Sequence, residues 1–217
     1  MGGWLTIVRD WLAAWSGNVR EHIELEATPN VRLTLFNRDV LPARGGGPTP
    51  VVIQGQTASS SVQFTAALGA ASAHQTLPLE RQLLADAVVQ AHRRQYRQCV
   101  ISACSAAEVA LSAAAQDQLI AAGRPSGEVD KILRGVSGVV ELYRLNAGRR
   151  DGLAVSIGQV KDQLANPRNA AAHAGHMPGE DVAAAAVRVA RALLEVRPLP
   201  TPRSLVRRLR VVDRRGY

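Results

Sequence analysis

From residue 79 onward the chain repeats apolar residues at the three-and-four spacing of a helix, and alanine is its commonest residue. Alanine has the highest helix propensity and lets helix backbones approach closely, so we expect tightly packed helices here. The pattern predicts helices at residues 79–94, 96–122, 128–145, 156–165 and 181–196. We expect a break near 93–96, because an uninterrupted helix would be unusually long, and a stop at the Gly-Arg-Pro sequence of residues 123–125.

Residues 20–68 change to the period of two that is typical of strands. Apolar residues alternate with polar ones at 23–26 and 31–35, and short apolar runs follow at 51–53 and 62–64. The proline- and glycine-rich residues 42–50 form a loop between them. We therefore expect a small sheet before the helices, and it contains no cluster of residues that carry chemistry.

Three tryptophans mark an amphipathic helix at residues 4–15. Trp4, Trp11 and Trp15 are spaced by seven and four residues, which places their indoles on one face. The segment has no lysine and little positive charge, so a docking surface is favoured over a membrane anchor. The partner of that face is either the rest of the protein or a second subunit.

The formal net charge is +8, and it is concentrated at the C-terminus. Residues 197–217 hold seven arginines and one acid, Asp213, which gives them a charge of 7 − 1 = +6. An anionic partner is expected, with nucleic acid as the first candidate. We predict that Arg207, Arg208 and Arg210 bind the phosphate backbone of RNA; a simple solvated extension is the alternative.

The chain shows no uninterrupted apolar run of the length that spans a bilayer and no signal-peptide pattern, so we expect a cytoplasmic protein without a membrane partner. Cys99 and Cys104 are five residues apart in a predicted helix and point in different directions. We interpret them as small core residues. No cofactor is expected.

The residues most able to carry chemistry lie at 166–176. Asn166 and Pro167 predict a cap and a first helical residue, so that Asn169 and His173 share a helix face within reach of Arg168. A histidine can transfer protons near neutral pH, and a permanently charged arginine can stabilise a phosphate that gains charge. A hydrogen-bonded helix cap explains the same residues without any function. His173 and His176 could hold a metal, but no third ligand is evident, so no metal site is expected.

Arg168 and His173, separated by four residues with Asn169 directly after the arginine, resemble the Arg–(four to six residues)–His signature of HEPN domains. The segment 95–108 is similar to that family's helix with a glutamate in its middle, here Glu108, and about 60 residues separate it from Arg168. The resemblance covers roughly residues 79–200. Arg93-Arg94-Gln95 departs from it, because many members have a glycine-containing turn at this point.

The resemblance implies an up-and-down helical bundle that dimerises, and a metal-independent endoribonuclease of the toxin or antiviral-defence type. His173 would move the proton as the RNA 2′-hydroxyl attacks phosphorus, Arg168 would stabilise the phosphorane, and Asn169 would hold the histidine or the phosphate. Expected products are a 2′,3′-cyclic phosphate and a 5′-hydroxyl. Glu108 and His176 are supporting candidates; for Glu108, a solvated or inter-subunit face is the alternative.

The predicted fold class is α+β and mainly α: a HEPN-like up-and-down bundle preceded by a small antiparallel β module. The parts are residues 1–78, 79–197 and the arginine-rich tail 198–217. The expected partners are RNA, a second copy of the chain, and an antitoxin or sensor protein. Two other functions stay open: a silent module that dimerises and binds RNA or a nucleotide, and a toxin neutralised by a nucleotidyltransferase antitoxin.

Overall fold

A computed structural model describes residues 2–16, 61–147, 153–173 and 175–205 of the 217-residue chain. Its helices are α1 (Gly2–Ser16), α2 (Ser61–Ser72), α3 (Leu79–His92), α4 (Tyr96–Ala121), α5 (Ser126–Arg134), α6 (Gly138–Ala147), α7 (Ile157–Val160), α8 (Asn166–His173) and α9 (Glu180–Leu194). A π turn, Lys161–Ala165, joins α7 to α8. The described part of the chain is therefore helical and contains no strand.

The predicted β module is not seen in the described residues, so the α+β fold class is wrong for this part of the chain. Residues 62–64, predicted as a strand, lie inside α2. The reason is packing: Ala66, Ala67, Ala70 and Ala71 form a fully buried face at helical spacing, and α2 packs with it against α1. The remaining predicted strands, at residues 23–53, lie outside the described residues.

Helix α4 is the centre of the bundle and contacts α3, α6, α8 and α9. Most of its buried residues are small, with Ala103, Ala107 and Ala110 fully enclosed beside Leu111. Small side chains let the four neighbouring helices approach the same axis, as the sequence predicted. Burial of each large side chain such as Leu111 stabilises the fold by roughly 1.5–3 kcal/mol.

The ends of α3 and α4 confirm the predicted break and stop. After α3 the chain turns at Arg94, whose φ is 57°, and the Gln95 N–H donates to the Gln90 carbonyl at 2.8 Å. After α4 it turns at Gly123, whose φ is 77°. Both turns use the left-handed residue that ends many helices.

The predicted helix at 128–145 is two helices, α5 and α6. Gly135 ends α5, and its N–H donates to the Lys131 and Ile132 carbonyls. Gly138 begins α6 with a φ of 80°, a conformation that L side chains rarely adopt. Two glycines three residues apart therefore interrupt an otherwise helical pattern.

A second hydrophobic cluster joins both ends of the described chain. Val8 and Trp11 of α1, the α2 alanines, Leu77 and Leu205 are buried together. The indole N–H of Trp11 donates to the Gln75 carbonyl at 2.8 Å, and that of Trp15 donates to the Pro200 carbonyl at 3.1 Å. The tryptophan face of α1 is therefore covered by this chain itself; the Trp4 side chain lies outside the described set.

An ion-pair cluster fixes the end of α9 to α3 and α4. Arg197 contacts the buried Glu80 carboxylate and Asp117, at 3.3 Å each. Arg81 donates to the Leu194 and Arg197 carbonyls at 3.1 and 3.0 Å. At the other end of the bundle, Tyr96 donates to Glu180 at 3.4 Å. Helix α9 therefore runs parallel to α4 and antiparallel to α3.

Among the described helices, α4 has the length and apolar character that a membrane span requires, with a mean hydropathy of 1.4 in its most apolar window. More than half of that window, 56%, is buried inside the bundle, and core helices of water-soluble proteins pass the same test. Helix α4 is therefore only weak evidence that the chain crosses a membrane. The cytoplasmic location stays a prediction.

Candidate active site

The residues of the motif lie on α8, which continues directly from the π turn. Asn166 is fully helical, with φ −63° and ψ −49°, and its backbone N–H donates to the Lys161 carbonyl. The predicted cap at Asn166 is therefore wrong. The wider π turn lies just before Pro167, whose ring removes an N–H and is incompatible with a regular α-helical register. The observed cap is Ser156, which forms a capping box with Gln159 at the start of α7.

Helix α8 packs antiparallel to α4. Leu164, at the end of the π turn, and Ala171 are fully buried, which fixes the face of α8 that turns inward. The Arg97 Nε of α4 donates to the Ala171 carbonyl at 2.9 Å. The last turn of α8, with His173, thus lies against the first turn of α4.

Arg168 is half-buried and faces α4. One guanidinium nitrogen donates to the Asn169 side-chain oxygen at 3.2 Å. On α4, the Cys104 thiol lies 3.8 Å from the Glu108 carboxylate. Burial raises the pKa of Cys104 to about 12, the negative charge of Glu108 raises that pKa too, and the positive charge of Arg168 lowers it. Arg168 therefore lies within electrostatic range of Cys104 and Glu108.

The predicted site residues divide into two groups by exposure. Asn169 and His173 are one helical turn apart and both exposed, so the predicted shared face is confirmed. His176 is also exposed, and its backbone N–H donates to the Ala170 carbonyl at 3.2 Å, after a turn at Gly175. Glu108 is half-buried. The structure thus joins Arg168 to Asn169 by a hydrogen bond and presents His173 to solvent, and within the described residues Arg168 and Glu108 form no ion pair.

The His173 imidazole makes no hydrogen bond to the residues that the structure describes. An imidazole with both nitrogens unengaged can accept a proton from, or donate one to, a bound substrate. No group of three or more His, Cys, Asp and Glu side chains that could hold a metal occurs in the described ranges. Arg207, Arg208 and Arg210, the predicted RNA contacts of the tail, lie outside the described residues.

No protein-family model, curated protein or solved structure matches this chain. The resemblance to HEPN domains therefore rests on the motif and the helical context alone. A function for these residues has to be argued from their own geometry and chemistry.

Two contributors to the site were missed by the sequence analysis. Arg97 links α4 to α8 through a carbonyl, and an arginine in the first turn of a helix gives no sign of such a partner. Cys104 was interpreted only as a core residue, and its burial confirms that interpretation. Its position four residues before Glu108 is the signal that could have predicted their contact.

Proposed function

We propose that the chain is a metal-independent endoribonuclease of the HEPN type, acting as a toxin or in antiviral defence. One observation carries the proposal: α8 holds both a half-buried arginine and, five residues later, an exposed, unengaged histidine. Strand cleavage by a neighbouring 2′-hydroxyl needs a proton acceptor and a fixed positive charge, and His173 and Arg168 can supply these two groups.

In the proposed reaction, the His173 imidazole takes the proton of the 2′-hydroxyl while its oxygen forms a bond to the adjacent phosphorus. The bond from phosphorus to the 5′-oxygen breaks, and that oxygen leaves with a proton. The products are a 2′,3′-cyclic phosphate and a 5′-hydroxyl. Arg168 stabilises the additional negative charge on the phosphorane oxygens.

The neighbours of Arg168 position it for this role. Asn169 accepts a hydrogen bond from its guanidinium. A guanidinium held by such a bond loses less conformational entropy on binding a phosphate. The departing 5′-oxygen needs an acid, and we propose that a second copy of the chain supplies it from its own motif.

The test is RNA cleavage in the presence of a chelator. We expect the wild-type protein to cut single-stranded RNA and His173→Asn to lose the activity by at least about 100-fold, the usual contribution of a general base. The matched control is His74→Asn: His74 is exposed at the end of α2, and asparagine tolerates its φ of 52°. Circular dichroism of both variants checks that the fold is retained.

Undiminished cutting by His173→Asn would remove this residue from the mechanism. A wild-type protein that binds RNA and cuts none would contradict the nuclease and favour the silent RNA-binding module. Analysis of the fragment ends adds a second criterion, because metal-assisted attack by water leaves a 3′-hydroxyl and a 5′-phosphate in place of a 2′,3′-cyclic phosphate and a 5′-hydroxyl.

A further inference from the structure

The turn between α3 and α4 lies at the same end of the bundle as the motif. Arg93 and Arg94 are exposed in this turn and directly precede the first turn of α4. That first turn contacts the last turn of α8 through the bond from Arg97 to the Ala171 carbonyl, 2.9 Å long. Two exposed arginines and His173 therefore lie on neighbouring turns of the structure.

The arginines at this end are unpaired, unlike those at the opposite end. Within the described residues, Arg93 and Arg94 form no ion pair, and Arg97 bonds to a carbonyl. At the far end, Arg81 is paired with Glu195, and Arg197 is paired with Glu80 and Asp117. The arginines at that end serve the fold, whereas the charges of the α3–α4 turn are available to a ligand.

The nearby acids are Glu180 and Asp181 at the start of α9. Glu180 accepts a hydrogen bond from Tyr96 and keeps its negative charge, and the positive charge of Arg94 acts on the same phenol. Exposed His92, His173 and His176 add no negative charge. Together with Arg97, the two arginines of the turn outnumber the two acids, so this end keeps a net positive charge beside the motif.

The backbone of the turn adds a second observation. Arg94 has a φ of 57°, a region that is strained for an L side chain and not for glycine. The residue in this position is an exposed arginine whose side chain makes no hydrogen bond or ion pair within the described residues. Strain retained at a position with no packing role is a reason to look for a function there.

We propose that Arg93 and Arg94 of the α3–α4 turn bind the phosphate backbone of RNA and lead the strand to His173. Guanidinium groups pair with phosphate through charge and parallel hydrogen bonds, and such contacts position a nucleic acid without reading its bases. The proposal rests on the proposed function for its substrate. It predicts the affinity of the protein for RNA, whereas the proposed function predicts cleavage of RNA.

The test is a binding titration with fluorescein-labelled single-stranded RNA of mixed sequence, followed by fluorescence anisotropy over a series of salt concentrations. We expect Arg93→Gln with Arg94→Gln to weaken binding about tenfold, and to lower the slope of log affinity against log salt by about 1.4, for two lost phosphate contacts. Arg93→Lys with Arg94→Lys should restore most of the slope. If the double variant does not fold, the same titration is carried out on Arg93→Gln alone, which should also bind RNA more weakly than the wild type.

The matched control is Arg188→Gln with Arg191→Gln. These two arginines are exposed on α9, make no ion pair within the described ranges, and lie farther from the motif than Glu180. These two substitutions remove as much charge as those at Arg93 and Arg94. A similar loss of affinity in the control would therefore overturn the proposal in favour of a general charge effect. Equal binding by the Arg93/Arg94 variant and the wild type would also overturn it, as would a wild-type protein that binds no RNA.

The outcome is separable from that of the nuclease proposal. If the wild type binds but does not cleave, and the Arg93/Arg94 variant loses binding, the surface is supported while the nuclease fails. If cleavage occurs, the variant should keep its rate at saturating RNA and lose it at low RNA concentration.

Discussion

At the scale of single residues, the two buried thiols of α4 determine how stability depends on alkaline pH. Burial raises the pKa of Cys99 to about 11 and that of Cys104 to about 12. In the unfolded chain both thiols titrate at their ordinary, lower pKa. Between pH 9 and 11 the unfolded chain therefore releases protons that the folded chain retains, and stability falls as pH rises.

We expect the free energy of unfolding of the wild type to decrease from pH 9 to 11. In the double variant Cys99→Ala with Cys104→Ala, this decrease should be smaller by about 1–3 kcal/mol. Urea unfolding at pH 7, 9, 10 and 11 measures this. The value at pH 7 corrects for the packing lost with the two sulfur atoms. If the free energy of unfolding falls by the same amount with pH in the wild type and the double variant, the thiols do not titrate as described.

At the scale of secondary-structure elements, the sequence predicted the helices with long regular patterns and clear stops. Helices α3, α4 and α9 lie within two residues of their predicted ends, because their apolar spacing is regular and, for α4 and α9, glycine or proline follows. Residues 62–64 were misjudged because a short apolar run fits either period. The π turn before Pro167 has no sequence signature, so the cap predicted at Asn166 was wrong although the shared face of Asn169 and His173 was right.

The ion-pair cluster that joins α9 to α3 and α4 makes a prediction at this scale. Arg197→Ala leaves the Glu80 carboxylate buried without its cation, so we expect a loss of about 1–3 kcal/mol. The comparison is Arg203→Ala, an exposed arginine of the same segment, for which a change within about 0.5 kcal/mol is expected. Equal stabilities of the two variants in urea would show that the cluster contributes little.

At the scale of the whole molecule, the structure describes the C-terminal tail as far as Leu205 and places this part against α1 and α2. Leu199 and Leu205 pack against α1 and α2, and the Pro200 carbonyl accepts the Trp15 bond. Leu205 is buried, so this part of the tail is docked and is not the solvated extension named as the alternative. Arg207, Arg208 and Arg210 follow it in the sequence and lie outside the described residues, so their binding to RNA stays a prediction.

Two truncations separate docking of the tail from its predicted binding of RNA. Removal of residues 206–217 deletes five arginines and should weaken RNA binding for all sequences and lower its salt dependence. Removal of 198–217 also deletes Leu205 and should destabilise the protein by about 2 kcal/mol or more. If the shorter truncation leaves the salt dependence of RNA binding unchanged, the tail does not bind RNA.

The cluster of α1, α2 and Leu205 also has a consequence for how the protein is made. The hydrogen bond from Trp15 to Pro200 joins residues 185 positions apart, so Trp15 is translated long before its partner. The described helices of the bundle, α3 to α9, end at Leu194 and can fold while the chain is still growing. The tryptophan face of α1 has neither Pro200 nor Leu205 to contact until those residues are made, so this cluster is completed after the bundle.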